Sequence, residues 1–166
     1  MLHYNVCKIE PEAHAAWPFS SKRLDRLLCG NVESRSVVDD RDEAALAAEA
    51  AATCVEQGFD AVKFDPAGPY TVFDGHQPRL EDIDLSVQMV RAVREAVGNK
   101  ADILFGTHGQ FTPAGAIRLA KAIEPFDPLW FEEPVPPDSV EAMAEVARKT
   151  SIPVAAGERL TTKFEF

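Results

Sequence analysis

Apolar and polar residues along this chain form two patterns that alternate. Short apolar runs bounded by charged or turn residues are typical of strands buried on both faces of a parallel sheet. Between them lie longer stretches in which apolar residues recur every three or four positions, and this spacing predicts amphipathic helices. The runs, in chain order, are SVV, FDAVKFDP, DILFG, LWFEE and PVAAGE.

Helix boundaries are predicted by residues that cap a helix or stop it. The first expected helix is Ala-rich, and the second spans about residues 81–97. Two more helices are expected between the later apolar runs. The predicted boundary signals are Asp40 with Glu43, Gly58, Gly98, Thr112 with Pro113, and Asp138 with Glu141.

This alternation of strands and helices predicts an α/β fold with a parallel sheet and right-handed crossovers. A doubly wound sheet and a (β/α)₈ TIM-type barrel both satisfy it. The chain contains neither GxGxxG nor GxxxxGK[ST], which disfavours a nucleotide-binding open sheet. Chemically active residues follow successive strands, as they do in a barrel. We therefore expect a partial barrel, about the first five β/α units, over residues 36–166, with an irregular segment over residues 1–35.

Composition limits the class of protein and of partner. The chain has 166 residues and a formal net charge of −10, which argues against nucleic acid and anionic membranes as partners. It leaves room for a small anionic substrate, because a local cation can override the overall charge. Three widely spaced cysteines without a CxxC pattern, no visible signal peptide and no long apolar span predict a cytoplasmic protein.

Candidate functional residues stand where the predicted strands end. Lys63 and Asp65 follow one strand, His108 the next, and the remaining acids the last two. Because the carboxyl ends of parallel strands meet at one edge, these side chains are expected to converge there. The acids concerned are Glu132, Glu133 and Glu158.

The strand-end motifs resemble those of a known family. They are GFDAVKFDP, then DILFGTHGQFTPAGAIRLAKAIEPFDPLWFEEPVPPD, then SIPVAAGERL. Over roughly residues 30–166 the chain is similar to the enolase superfamily, in its mandelate racemase and muconate lactonizing enzyme branch. Within that branch it most resembles acid-sugar dehydratases of the mannonate and galactonate type. The motifs are weak singly and specific as a set.

This resemblance implies a metal-assisted lyase. In the family, the proton α to a carboxylate is removed, Mg²⁺ stabilises the enediolate, and a β-hydroxyl leaves as water. By motif, Glu132 and Glu158 match two metal ligands. Gly106 stands where the family has a third, an Asp, so weak metal binding is expected unless Asp102, Asp65 or His108 substitutes.

The resemblance also implies roles for the other strand-end residues. Lys63 and His108 are the expected catalytic groups, His108 as an acid for the leaving hydroxyl. Asp65 replaces the second Lys of a K-x-K motif and is expected near the substrate, paired with Lys63. Glu133 is expected either to bind substrate or to support the site from a hydrogen-bond network.

The length of the chain leaves several functions open. A complete barrel takes about 250 residues, so a fragment lacking later strands and most of the family's N-terminal capping domain is expected. The first hypothesis is a dehydratase for a sugar-acid carboxylate, with a full-length parent that forms a homo-oligomer. The alternatives are a non-catalytic barrel remnant and a racemase or cycloisomerase of the same superfamily, and this chain alone is expected to be inactive.

Overall fold

Strands and helices alternate along the part of the chain that this computed structural model describes, residues 43–67 and 75–164. The predicted SVV strand, Asp40 and the segment 1–35 lie outside the described residues. The elements are α1 (Glu43–Glu56), β1 (Ala61–Phe64), α2 (Leu80–Val97), β2 (Asp102–Gly106), α3 (Pro113–Ile123), a short 3₁₀ helix (Glu124–Phe126), β3 (Trp130–Glu132), α4 (Val140–Lys149) and β4 (Val154–Ala155).

The four described strands form one parallel sheet in the order β1-β2-β3-β4. Phe64 pairs with Phe105, and Gly106 pairs with Glu132, so the ends of β1, β2 and β3 lie side by side. The predicted α/β fold with a parallel sheet is confirmed. None of the described helices is long and apolar enough to cross a membrane.

The core lies between this sheet and the helices that pack on it. Phe105 and Phe131, on adjacent strands, are fully buried and meet edge to face with ring centroids 5.3 Å apart. Met89 and Val90 of α2 and Leu119 of α3 are also buried in the same cluster. Burial of apolar area on this scale is the main stabilising term of such a domain, and it fixes the strand ends relative to each other.

Helix ends agree with the predicted capping residues in three cases and differ in one. Gly58 follows the end of α1 at a φ of 94°. Thr112 caps α3 by accepting a hydrogen bond from the Gly115 N–H, and Gly98 ends α2 at a φ of 54°. The N-cap of α4 is Ser139 rather than the predicted Asp138, because the Ser139 hydroxyl accepts from the Ala142 N–H. The Asp138 prediction was therefore wrong by one residue.

Both later strands are shorter than their apolar runs suggested. The strand β3 ends at Glu132, because Glu133 adopts a φ of 46°, outside the extended region. The strand β4 contains only Val154 and Ala155. Consequently Glu133 and Glu158 belong to the turns that follow the strands and not to the strands themselves.

Candidate functional site

An ion pair joins the ends of β1 and β3. The ammonium of Lys63 lies 2.5 Å from Oε1 of Glu132. The indole Nε1–H of Trp130 donates to the other carboxylate oxygen, Oε2, at 3.0 Å. Both oxygens of Glu132 therefore already accept a hydrogen bond, one of them from a charged group.

A second pair joins the end of β1 to the loop after β2. Nδ1 of His108 lies 2.6 Å from Oδ2 of Asp65, and Oδ1 of Asp65 accepts from the Ala67 N–H at 3.1 Å. The hydrogen bond that His108 donates to Asp65 raises the pKa of His108, burial opposes that rise, and the charge of Glu158 adds to it. The arrangement favours a protonated imidazole.

The predicted pairing of Asp65 with Lys63 is wrong. Lys63 reaches across β2 to Glu132 on β3, whereas Asp65, just beyond the end of β1, contacts His108 in the loop after β2. Each group finds an opposite charge across the sheet rather than along it.

Gly106 lies between these two pairs. A Cβ placed on Gly106 would stand 3.4 Å from Cε of Lys63 and 3.9 Å from Cβ of Asp65. The Lys63 side chain thus passes at van der Waals distance from the position that a Cβ of residue 106 would take. The next residue, Thr107, links the end of β2 to the end of β3, because its hydroxyl donates to the backbone carbonyls of Glu132 and Glu133.

Glu133 is buried behind the strand end, with 1% of its surface exposed. Its Oε1 accepts from the Gly157 N–H at 2.7 Å, which ties β3 to the turn after β4. Its carbonyl accepts from the Gly109 N–H at 2.7 Å. Its other oxygen, Oε2, accepts no hydrogen bond from the described residues. These contacts give Glu133 a supporting position between two loops.

Glu158 is exposed, in the turn that follows β4. Its negative charge also raises the pKa of His108, by less than the hydrogen bond to Asp65 does. Four of the predicted site residues thus form two pairs, Lys63 with Glu132 and His108 with Asp65.

A family model described as enolase C-terminal domain-like matches residues 45–166 of the chain. The chain belongs to this enolase superfamily domain family. The matched residues include all six predicted site residues.

Relatives of this enolase-superfamily chain are named as sugar-acid dehydratases. A D-xylonate dehydratase of Haloferax volcanii is 39% identical over 76% of this chain and 31% of its own length. A D-gluconate dehydratase of Thermoproteus tenax is 38% identical over 71% of this chain and 23% of its own length. The solved structure of a mandelate racemase/muconate lactonizing enzyme-like protein from Roseovarius sp. TM1035 is 69% identical, with a TM-score of 0.71, over 74% of this chain and 31% of that one. The chain thus spans a third or less of the length of these relatives.

Enolase-superfamily members generally use Mg²⁺, so the fit of the described residues to that ion matters. No group of three or more His, Cys, Asp or Glu side chains in residues 43–67 and 75–164 is arranged to hold a metal ion. Gly106 offers no ligand, and Glu132 is engaged by Lys63 and Trp130. As arranged here, these donors do not fit a resident Mg²⁺.

Sequence reasoning missed two residues of this enolase-type strand end. Trp130 lies in the run LWFEE, which was predicted as a buried strand, yet it is only half-buried and donates to Glu132. Thr107 was not considered, although it is buried and binds two carbonyls. The two-residue spacing of Trp130 and Glu132 was the available signal, since residues at that spacing share one side of a strand.

Proposed function

We propose that the chain supplies part of the catalytic face of a sugar-acid dehydratase of the enolase superfamily. The observation that carries the proposal is the family match over residues 45–166, together with the named activity of the D-xylonate and D-gluconate dehydratase relatives. The substrate class would be a polyhydroxylated carboxylate, and the reaction the loss of water across its α and β carbons.

In this proposal Lys63 supplies positive charge. Its ammonium contacts the Glu132 carboxylate, and an ammonium has no lone pair with which to take a proton. A fixed cation at the strand end would stabilise the substrate carboxylate as negative charge grows on it during α-proton removal. Lys63 would thus orient and stabilise, and we assign the base to none of the described residues.

His108 would act as the acid of the elimination. Its hydrogen bond to Asp65 raises its pKa and so favours the protonated ring. When the carbon–oxygen bond to the β-hydroxyl breaks, the imidazolium would give its proton to the departing oxygen, which leaves as water. No step is routed through Mg²⁺, because the described donors do not fit it.

The architecture of the whole protein belongs to the same proposal. Residues 36–166 would form the first five units of a (β/α)₈ barrel, and residues 1–35 would be a remnant of the capping region. Since the chain spans a third or less of its relatives, the complete active site would need further chain. A cytoplasmic location and a homo-oligomeric parent remain predictions.

The test is an assay of the protein encoded by the complete reading frame, read to the first stop codon beyond the codon of Phe166. Purified protein is incubated with a panel of five- and six-carbon sugar acids, and the 2-keto-3-deoxy product is measured. We expect turnover of at least one acid, with a loss of at least about 10²-fold for His108→Asn. Full activity of that variant would contradict the role of His108.

A racemase or cycloisomerase is the second candidate, because the 69% identical solved structure is that of a mandelate racemase/muconate lactonizing enzyme-like protein. These reactions share removal of the α-proton with dehydration and differ from it in the fate of the intermediate. In D₂O, a racemase would place deuterium on the α-carbon without loss of water. That result, in the absence of any keto product, would replace dehydration with racemisation.

A further inference from the structure

The ammonium of Lys63 occupies the position of a counter-ion to Glu132. It lies 2.5 Å from one carboxylate oxygen, and the Trp130 indole holds the other at 3.0 Å. Only 18% of the Lys63 side chain and 13% of the Glu132 side chain are exposed. Water and salt therefore screen this pair less than they would a surface pair.

Gly106 lies on the path of the lysine side chain. Lys63 belongs to β1 and Glu132 to β3, so the lysine has to pass over the intervening strand β2. It passes at Gly106, which pairs with Glu132 in the sheet and whose added Cβ would lie 3.4 Å from Cε of Lys63. The position that lacks the family's carboxylate ligand thus lies directly against an internal cation.

We propose that Lys63 is the built-in counter-cation of Glu132 and that this strand end therefore discriminates against divalent metal ions. A metal ion approaching Glu132 has to displace a shielded ammonium and then bear its repulsion from a short distance. The gap left at Gly106 gives that ion no compensating charge. The proposal concerns ion binding alone and does not depend on the dehydratase activity.

The experiment measures Mn²⁺ binding to the full 166-residue chain by the loss of the free-ion electron paramagnetic resonance signal. Four proteins are compared: the unmodified chain, Lys63→Met, Lys63→Arg and Lys100→Met. Met keeps the length and removes the charge, whereas Arg keeps the charge. Lys100 is exposed in the turn after α2 and serves as the matched control.

We expect binding in the millimolar range for the unmodified chain, and about tenfold or greater tightening in Lys63→Met, since removing one nearby positive charge relieves direct repulsion. Lys63→Arg and Lys100→Met should bind like the unmodified chain. The gain should disappear when Glu132→Gln is added to Lys63→Met, because the released carboxylate is the ligand.

Micromolar binding by the unmodified chain, or a Lys63→Met variant that binds no more tightly, overturns the proposal. Circular dichroism checks each fold. If Lys63→Met does not fold, the single variant Glu132→Gln decides: unchanged weak binding supports the proposal, and lost binding shows that Glu132 already serves metal in the presence of Lys63. A failed dehydratase assay would leave each of these outcomes unaffected.

Discussion

The Asp65–His108 contact sets a pH dependence at the scale of one residue. The hydrogen bond that His108 donates to Asp65 raises the pKa of His108 above its ordinary 6.5 in the folded chain. Protonation therefore favours the folded state: this stabilisation is fully present below about pH 6.5 and is lost as pH rises through the raised pKa. The effect should be measurable as a difference in the free energy of unfolding between acid and alkaline pH.

We predict that Asp65→Asn lowers the pKa of His108 and removes this pH-dependent stabilisation. Nuclear magnetic resonance titration of the imidazole Cε1–H gives the pKa, and urea unfolding at pH 5.5 and pH 8.5 gives the stability difference. Asp138→Asn, at an exposed position, is the matched control. An unchanged His108 pKa in Asp65→Asn would show that the contact does not hold in solution.

Gly106 permits a second prediction about single residues. Its neighbours would stand 3.4 Å or more from an added Cβ, so Gly106→Asp should be accommodated. In the presence of Lys63 the new carboxylate should pair with the ammonium and add little Mn²⁺ affinity. Combined with Lys63→Met, it should tighten Mn²⁺ binding by about another tenfold.

The control is Gly106→Asn, which has the same shape and no charge. Calorimetry of the single and double variants separates the two effects as a mutant cycle. Equal gains from Gly106→Asp with and without Lys63 would mean that the two side chains do not interact.

Residue identities at the strand ends were predictable, but their pairing was not. The motif order located Lys63, Asp65, His108 and Glu132 correctly at the ends of β1, β2 and β3 or just beyond them. Which of them touch depends on strand register and side-chain reach across the sheet, and neither is encoded in residues near each other in sequence. Whether they bind substrate stays a prediction.

At the scale of single elements, the start of α3 depends on Thr112. Its hydroxyl accepts from the Gly115 N–H at 3.3 Å and from the Gln77 amide at 2.8 Å. We predict that Thr112→Ala lowers the free energy of unfolding by about 1 kcal/mol, the usual cost of losing an N-cap. Urea denaturation followed by circular dichroism measures it.

Thr53 offers the matched Thr→Ala control for that prediction. It lies on the exposed side of α1, where its hydroxyl donates to the Glu49 carbonyl four residues earlier. Such a bond adds little to a helix, and Ala has the higher helix propensity, so Thr53→Ala should be neutral or slightly stabilising. Equal destabilisation by both changes would contradict the capping role of Thr112.

Element positions followed from periodicity better than element ends did. The helix predicted over residues 81–97 is observed as Leu80–Val97, because its apolar residues repeat at the helical period. The N-cap of α4 could not be chosen from sequence, since Asp138 and Ser139 are adjacent and both are good capping residues. The backbone path after the preceding prolines decides between them.

At the scale of the whole molecule, the alternation of elements was sufficient to predict the parallel sheet. Each crossover helix returns the chain to the end of the sheet at which the preceding strand began, so the next strand runs parallel to it. The structure adds that the four described strands lie in chain order. The number of β/α units beyond these four strands was inferred only from the usual length of a barrel, so the barrel stays a proposal. The family match adds the lineage of the chain without adding the remaining strands.

We predict that the 166-residue chain by itself turns over none of the sugar acids in the panel. Elimination needs a base, an acid, charge stabilisation and exclusion of water at once, and the loss of one supporting arrangement can cost about 10²-fold. The assay for keto product at high enzyme concentration measures this, with the protein from the complete reading frame as the reference. Rapid turnover by the short chain would show that its own residues suffice.

The glycine at position 106, next to Lys63, also affects how this site could change over generations. A glycine codon becomes an aspartate or glutamate codon through a change at its second base, so an acid at this position is genetically accessible. While Lys63 holds Glu132, however, such a mutation would gain little metal affinity and would give selection little to act on. A prior substitution at Lys63 would make the same mutation advantageous. The order in which the two mutations arise would thus decide whether this lineage can acquire a metal site.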